Sequence, residues 1–289
     1  MFVVLGATGN TGKVVADTLL NEKKQVRLFV RDPKKVAEFA KRGAEVLAGD
    51  IEDVPALTSA LKGAEGAFFL LPPPAMTATG VIASRAKLAD ALVAAVRGSG
   101  ITGIVLLSSI GAQHAEGTGI IQTIHYLESH LRQLGINATF LHCAYFLENW
   151  LGMLHPVKTD GVLPAFFSPA KKIPMVATRD IGITAAHALL DNAKHTGNRV
   201  IELSGPEDYS TEDVAAVFGK LLNKEVSVFP VPRKARVGAM EQAGIGNELA
   251  ELFVGMYTGI DDGKVSFEGH DATRAYGKIT LEAFLTDAL

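Results

Sequence analysis

Three glycines punctuate the segment GATGNTG at residues 6–12, directly after the apolar run MFVVL. A chain that leaves a buried strand and starts a helix within a few residues exposes unpaired backbone N–H groups at the helix N-terminus. Those groups and the helix dipole favour a phosphate. In such a loop Gly6 permits the tight turn, Gly9 lets the backbone approach a pyrophosphate, and Gly12 lets the first helix lie against the sheet. Gly6, Thr8, Gly9, Asn10, Thr11 and Gly12 are therefore expected to form the phosphate cradle of a dinucleotide site. About twenty residues further on, where an NAD site carries Asp or Glu against the ribose 2′-hydroxyl, the run VRLFV ends at Arg31. A guanidinium suits a 2′-phosphate and stacks on adenine, and Lys34 and Lys35 add positive potential. NADP is expected over NAD, although Asp32 follows and is also placed to reach a ribose hydroxyl.

Other chemistries find little support. His125 and His130 are five residues apart and share no helix face, and no Cys/His/Asp cluster has metal-ligand spacing, so no metal is expected. The G-x-S-x-G elbow of hydrolases is absent, and the glycine loop lacks the lysine and serine or threonine of a P-loop. The single cysteine, Cys143, lies in ATFLHCAYF and reads as a small buried hydrophobe with no disulfide partner. With 28 basic against 31 acidic residues the net charge is −3, and the basic residues are scattered, so nucleic acid is not an expected partner. No run approaches the roughly 20 apolar residues of a membrane span, and the first residues carry no signal-peptide pattern. A cytoplasmic protein acting on a small molecule is expected.

The elements that must hold this loop are legible as alternation. Short apolar runs, FVVL, VRLFV, AEVLAG, GAFFLL, GIVLLSS and ATFLHC, read as buried parallel strands. Between them lie stretches with helical apolar spacing, and Gly43, Gly63 and Gly98 stand near their C-termini. The fold class is α/β, a Rossmann-type doubly wound parallel sheet whose ligands sit at the carboxyl ends of the strands. Residues 1–150 are expected to form the NAD(P)-binding Rossmann domain. Residues 151–289, punctuated at first by Pro156, Pro164, Pro169 and Pro174, are expected to form a smaller α/β lobe interleaved with the last Rossmann strands. Ser108 and Ser109 end the fifth strand, where polar groups come near a nicotinamide and where serines also form turns.

The segments GATGNTG, VRLFVRD, GDIED, LLSSIGA, LESHLRQLGINATFLHCAYFLENW and ATRDIG together resemble the NmrA-like atypical short-chain dehydrogenases. That group includes NADPH-dependent quinone oxidoreductases and NADPH-sensing regulators. The resemblance implies that Asp50 and Ile51 flank the adenine and that Leu71 and Pro72 pass beside a ribose. It also implies that Tyr145, Phe146, Asn149 and Trp150 run beside the nicotinamide and substrate, forming with Phe166 and Phe167 an aromatic wall for a flat acceptor or, alternatively, ordinary core. The chain departs from the wider superfamily in having no Tyr-x-x-x-Lys, and from many relatives in having no lysine one helical turn before Glu128. His125, a helix histidine in QTIHYLE, is the expected stand-in, with Ser108 and Tyr126 as the other catalytic candidates. Three functions follow. The first is an NADPH-dependent oxidoreductase passing hydride to a quinone or similar electron-poor carbonyl. The second is a non-catalytic NADP(H)-sensing regulator with a protein partner. A nucleotide-sugar epimerase, which needs the missing acid/base pair, ranks third.

Overall fold

The computed structural model describes residues 1–192 and 194–289 with their side chains. The opening apolar run is β1 (Phe2–Leu5), wholly buried, and it feeds α1 (Asn10–Asn21). The alternation continues through β2 (Val26–Val30), α2 (Ala37–Lys41), β3 (Glu45–Ala48), α3 (Val54–Leu61) and β4 (Gly66–Phe69). It then runs through α4 (Val81–Ser99), β5 (Gly103–Ser109), α5 (Gln122–Leu131) and β6 (Asn137–Cys143). These strands are the six runs expected from the sequence. All pair in parallel in the order β6-β5-β4-β1-β2-β3. The winding reverses between β1 and β4, which opens a crevice at their carboxyl ends.

Past residue 144 the elements shorten: β7 (Tyr145–Phe146), α6 (Leu154–Asp160), β8 (Val162–Ala165) and β9 (Ile173–Val176) lead into α7 (Thr178–Asp191). Next come β10 (Asn198–Ser204), β11 (Asp208–Tyr209), α8 (Thr211–Leu222), β12 (Ser227–Pro230), α9 (Arg236–Gln242) and α10 (Asn247–Asp261). The chain ends with β13 (Ala272–Tyr276) and α11 (Leu281–Ala288). Two of these strands return to the large sheet, β10 beside β6 and β13 beside β10, both parallel, making eight strands in all. Among the described residues no helix is long and apolar enough to cross a membrane.

Strand side chains alternate between faces, and each face of the sheet carries its own helices. Val4, Phe68, Val105 and Leu141 pack with α1 and α7 on one face, while Val3, Phe69, Leu106 and Phe140 pack with α3, α4 and α5 on the other. A third core, holding Trp150, Phe167, Phe218 and Leu281, lies in the smaller lobe. Helix α7 seats on α1 at Gly182, where an added Cβ would meet the Val14 side chain at 2.5 Å.

Helix α10 ties the small lobe to the mouth of the crevice. Its segment around Gly255 crosses the loop after β5, and a Cβ on Gly119 would lie 2.0 Å from the Leu252 carbonyl oxygen. At its start Glu248 accepts hydrogen bonds from the amides of Gly80 (2.6 Å) and Val81 (2.7 Å), the N-terminus of α4, where Gly80 has no side chain to cap the helix. A remote carboxylate therefore does the work of an N-cap. Replacing a cap by alanine costs about 0.5–2 kcal/mol. Glu248→Ala is expected to lower the unfolding free energy by about that much in urea, with Glu248→Gln intermediate.

Candidate functional site

The glycine loop divides its three glycines between two different demands. Gly6 has φ +69°, the left-handed region, and an added Cβ would also meet the Leu70 side chain at 2.7 Å. At Gly12 a Cβ would lie 2.3 Å from the Gly6 carbonyl oxygen and 2.9 Å from that of Leu5, so α1 is seated directly on the end of β1. Gly9 is different: its backbone is extended (φ −98°), and a Cβ there would meet only the Gly6 oxygen, at 3.5 Å. Nothing in the protein demands a glycine at position 9. The space above it is open.

That space lies over a helix end with no cap of its own. Gly9 offers no side-chain cap, the first turn holds no acidic residue, and the first helical bond runs from the Lys13 amide to the Gly9 carbonyl. The amides of Asn10, Thr11 and Gly12 are thus left facing the loop mouth without intrahelical acceptors, a fit for a dinucleotide pyrophosphate. Thr8, Gly9 and Asn10 are exposed there. The Thr11 side chain is 6% exposed, so what the residue offers the loop is its backbone amide.

At the end of β2 Arg31 and Asp32 differ in how they are engaged. The Asp32 carboxylate accepts from the Lys34 amide (3.0 Å) and caps the short helical turn Pro33–Val36, so it is engaged locally. Arg31 and Lys35 are exposed and, among the described residues, make no ion pair. After β3, Asp50 is exposed and accepts from the Glu52 amide (3.0 Å), while Ile51 packs half-buried against the α3–α5 side of the core. The Leu71 side chain is core, 7% exposed, so the residue presents backbone at the β4 exit. The Pro72 carbonyl is engaged too, accepting from Arg85 Nη1 at 2.6 Å.

The three catalytic candidates, Ser108, His125 and Tyr126, each make a hydrogen bond within the protein. Register places Ser108, His142, Glu202 and Arg274 side by side on β5, β6, β10 and β13, a polar row on the α5 face of the sheet. Glu128 of α5 is 3% exposed above that row. It accepts from Ser108 Oγ (2.7 Å) and His142 Nε2 (3.0 Å), and it pairs with Arg132. Burial alone would raise the Glu128 pKa. The bond and charge of His142, the Ser108 hydroxyl and Arg132 outweigh it and hold the carboxyl at about 2. Ser108 therefore fastens a buried carboxylate, and the alternation of the strand sends Ser109 to the other face. Tyr126 points outward: its hydroxyl donates to Asp90 of α4 at 2.9 Å, which pushes its pKa up. His125 donates from Nδ1 to the Ala112 carbonyl (2.8 Å) and borders a groove of about 360 Å³ beside Gln113, Glu128, Arg132, Asn198 and Glu268. No residue of the glycine loop lines that groove. Glu128, treated in the sequence only as a landmark, is the central charge of this region; its spacing of four from Arg132 was the signal.

Consecutive residues Tyr145 and Phe146 part company. Phe146 packs against the core cluster that contains Ala7 and Val15, on the glycine-loop side, whereas Tyr145 turns into the small lobe. There its hydroxyl meets that of Tyr257 at 3.2 Å, which ties β7 to α10. Tyr145, Trp150, Phe166, Phe167 and Tyr257 form a continuous aromatic box with ring centroids 5.6–6.4 Å apart. Burial raises the pKa of both tyrosines, so both hydroxyls stay protonated. Asn149, expected beside them, is exposed.

The NmrA-like family model matches residues 1–285. The chain is 25% identical to an NAD(P)H azoreductase of Xenophilus azovorans, over 89% of this chain and 86% of that protein. It is also 25% identical to quinone oxidoreductase 2 of Escherichia coli K12, over 97% and 95%. Among solved structures, the E. coli NADPH-dependent quinone oxidoreductase complexed with NADPH superposes with a TM-score of 0.84 at 24% identity, covering 100% of this chain and 99% of that one. The triphenylmethane reductase of Citrobacter sp. complexed with NADP(H) gives 0.83 at 21% identity, with 100% of each chain covered. The fold is the same throughout.

Two expectations follow from this geometry. Gly9→Val leaves the melting temperature within about 2 °C of wild type yet abolishes binding of ADP measured by calorimetry, while Gly12→Ala loses stability by about 1–3 kcal/mol or more from overpacking. Retained ADP affinity in Gly9→Val contradicts the cradle. For Glu128, a folded pKa near 2 against an unfolded value of about 4.3 contributes about 3 kcal/mol that is present above the unfolded value. This contribution disappears as pH falls toward 2, more than half of it by pH 3. The stability difference between wild type and Glu128→Gln, followed by urea denaturation, should narrow accordingly.

Proposed function

The chain belongs to the NmrA-like family, and we propose that it is an NADPH-dependent oxidoreductase passing hydride to a quinone or a similar electron-poor small molecule. The observation that carries this reading is the open space at Gly9 over the uncapped N-terminus of α1, with an unpaired Arg31 at the end of β2. The pyrophosphate is held by the amides of Asn10 to Gly12, and the 2′-phosphate by Arg31 with Lys35 nearby. When bound, NADPH supplies the hydride. The residues around it bind, orient and exclude water.

The reading also accounts for what the chain lacks. Ser108 is committed to Glu128 and Tyr126 to Asp90, while His125, bonded to Ala112 through Nδ1 alone, keeps Nε2 for a water or proton at its groove, so no tyrosine acts as a strong general acid. A reduced quinone leaves as a weakly basic oxyanion that water protonates, so it needs none; an alkoxide formed from an ordinary ketone does need one. A quinone, the acceptor named for one of the two relatives above, is of the undemanding kind.

NADPH oxidation followed by absorbance with a panel of quinones, azo compounds and simple ketones tests the proposal. Turnover with quinones or azo compounds and none with simple ketones is expected, whereas tight NADPH binding without turnover on any acceptor replaces it with the regulator reading. NADPH is expected to bind roughly ten- to a hundredfold more tightly than NADH, the worth of a charge-assisted contact. Arg31→Ala removes that preference and spares NADH. Equal affinity of the wild type for both cofactors contradicts the part given to Arg31.

A further inference from the structure

One buried cation remains without a counter-charge. Arg85, in the second turn of α4, is 5% exposed. Its Nη1 donates to the Pro72 carbonyl (2.6 Å), just after β4, and its Nε to Thr123 Oγ1 (2.8 Å) in the first turn of α5. Both acceptors are neutral. Among the described residues Nη2 has no partner and no carboxylate pairs with the guanidinium. Burial lowers its pKa to about 10, so it stays charged at neutral pH. A charge taken out of water without an opposite charge is destabilising to the protein that carries it.

Its position says what could supply that charge. A dinucleotide with its pyrophosphate on α1 and its adenine end over the exits of β2 and β3 must carry its other half the opposite way along the sheet, across the exit of β4 toward β5. The exit of β4 borders the glycine loop, since the Leu70 side chain lies 2.7 Å from the Cβ position of Gly6. Arg85 clamps the residue two places further on and ties it to α5. We propose that Arg85 is the counter-charge for the nicotinamide-side phosphate of NADPH and holds the β4 exit where that half crosses. This rests on the NADPH reading above. A permanent anion that arrives with the cofactor compensates the guanidinium, and the apo-protein tolerates the uncompensated charge as the condition for binding it.

The test compares Arg85→Met and Arg85→Lys with wild type, titrating NADPH and adenosine 2′,5′-bisphosphate, which lacks the nicotinamide-side phosphate, and recording melting curves without and with NADPH. Arg85→Met should weaken NADPH by roughly ten- to a hundredfold and leave adenosine 2′,5′-bisphosphate within about twofold. The melting temperature of its apo form should stay close to wild type while the shift produced by NADPH shrinks, and Arg85→Lys should recover most of the affinity. Unchanged NADPH affinity in Arg85→Met overturns the proposal. Equal weakening of both ligands with a lower apo melting temperature also overturns it, leaving Arg85 a structural tie. A wild-type protein that binds adenosine 2′,5′-bisphosphate but not NADPH, or neither, sinks the cofactor reading itself, a result separable from any effect of Arg85.

Discussion

The contact on which the rest depends is backbone against backbone: α1 begins so close to the end of β1 that only a glycine at position 12 fits beneath the Gly6 carbonyl. That seat aims the helix N-terminus into the crevice where the strand order reverses between β1 and β4. It fixes where an anion can be bound, and so where each end of a dinucleotide must go. The exits of β2 and β3, with Arg31 and Asp50, fall on one side of it. The exits of β4 and β5, with Pro72 and the loop crossed by α10, fall on the other.

On that second side the protein spends its polar groups on holding itself together. Glu128 collects Ser108, His142 and Arg132 beneath α5, and its depressed pKa reports how well the charge is compensated. In the same register Glu202 accepts from Arg274 and from the amide of Gly269, tying the last edge strand to the row. A helix fastened in this way is a firm wall, and of the candidates for proton transfer beside it Ser108 and Tyr126 are committed elsewhere. The chemistry left to such a site is orientation of a cofactor that carries its own reactivity, together with an acceptor that asks for no strong acid.

The sheet was legible because parallel strands buried on both faces must be written as continuous apolar runs, and all six runs became neighbouring strands, although β3 at the edge is only half-buried. The edge strand β13 was not legible: ATRAY is polar, half exposed and adjacent to β10 only through the fold. The glycine loop was readable for the same local reasons that make it work, although the sequence assigned to Gly9 a close approach that the protein itself does not impose. Side-chain direction was the harder part. Ser108 and Ser109 are equivalent in composition and differ only in which face the strand turns them to, and Tyr145 and Phe146 part for the same reason. Arg85 escaped notice because nothing local marks one arginine on an amphipathic helix as buried; that follows from α5 and the β4 exit closing over it.

The most direct measurement of the central claim is a crystal structure of the chain with NADPH bound. It should show the pyrophosphate on the amides of Asn10 to Gly12 above Gly9, the 2′-phosphate against Arg31, and the nicotinamide half passing Pro72 toward the end of β5. A complex in which the dinucleotide lies away from the glycine loop, or runs with its adenine toward β5, would contradict it.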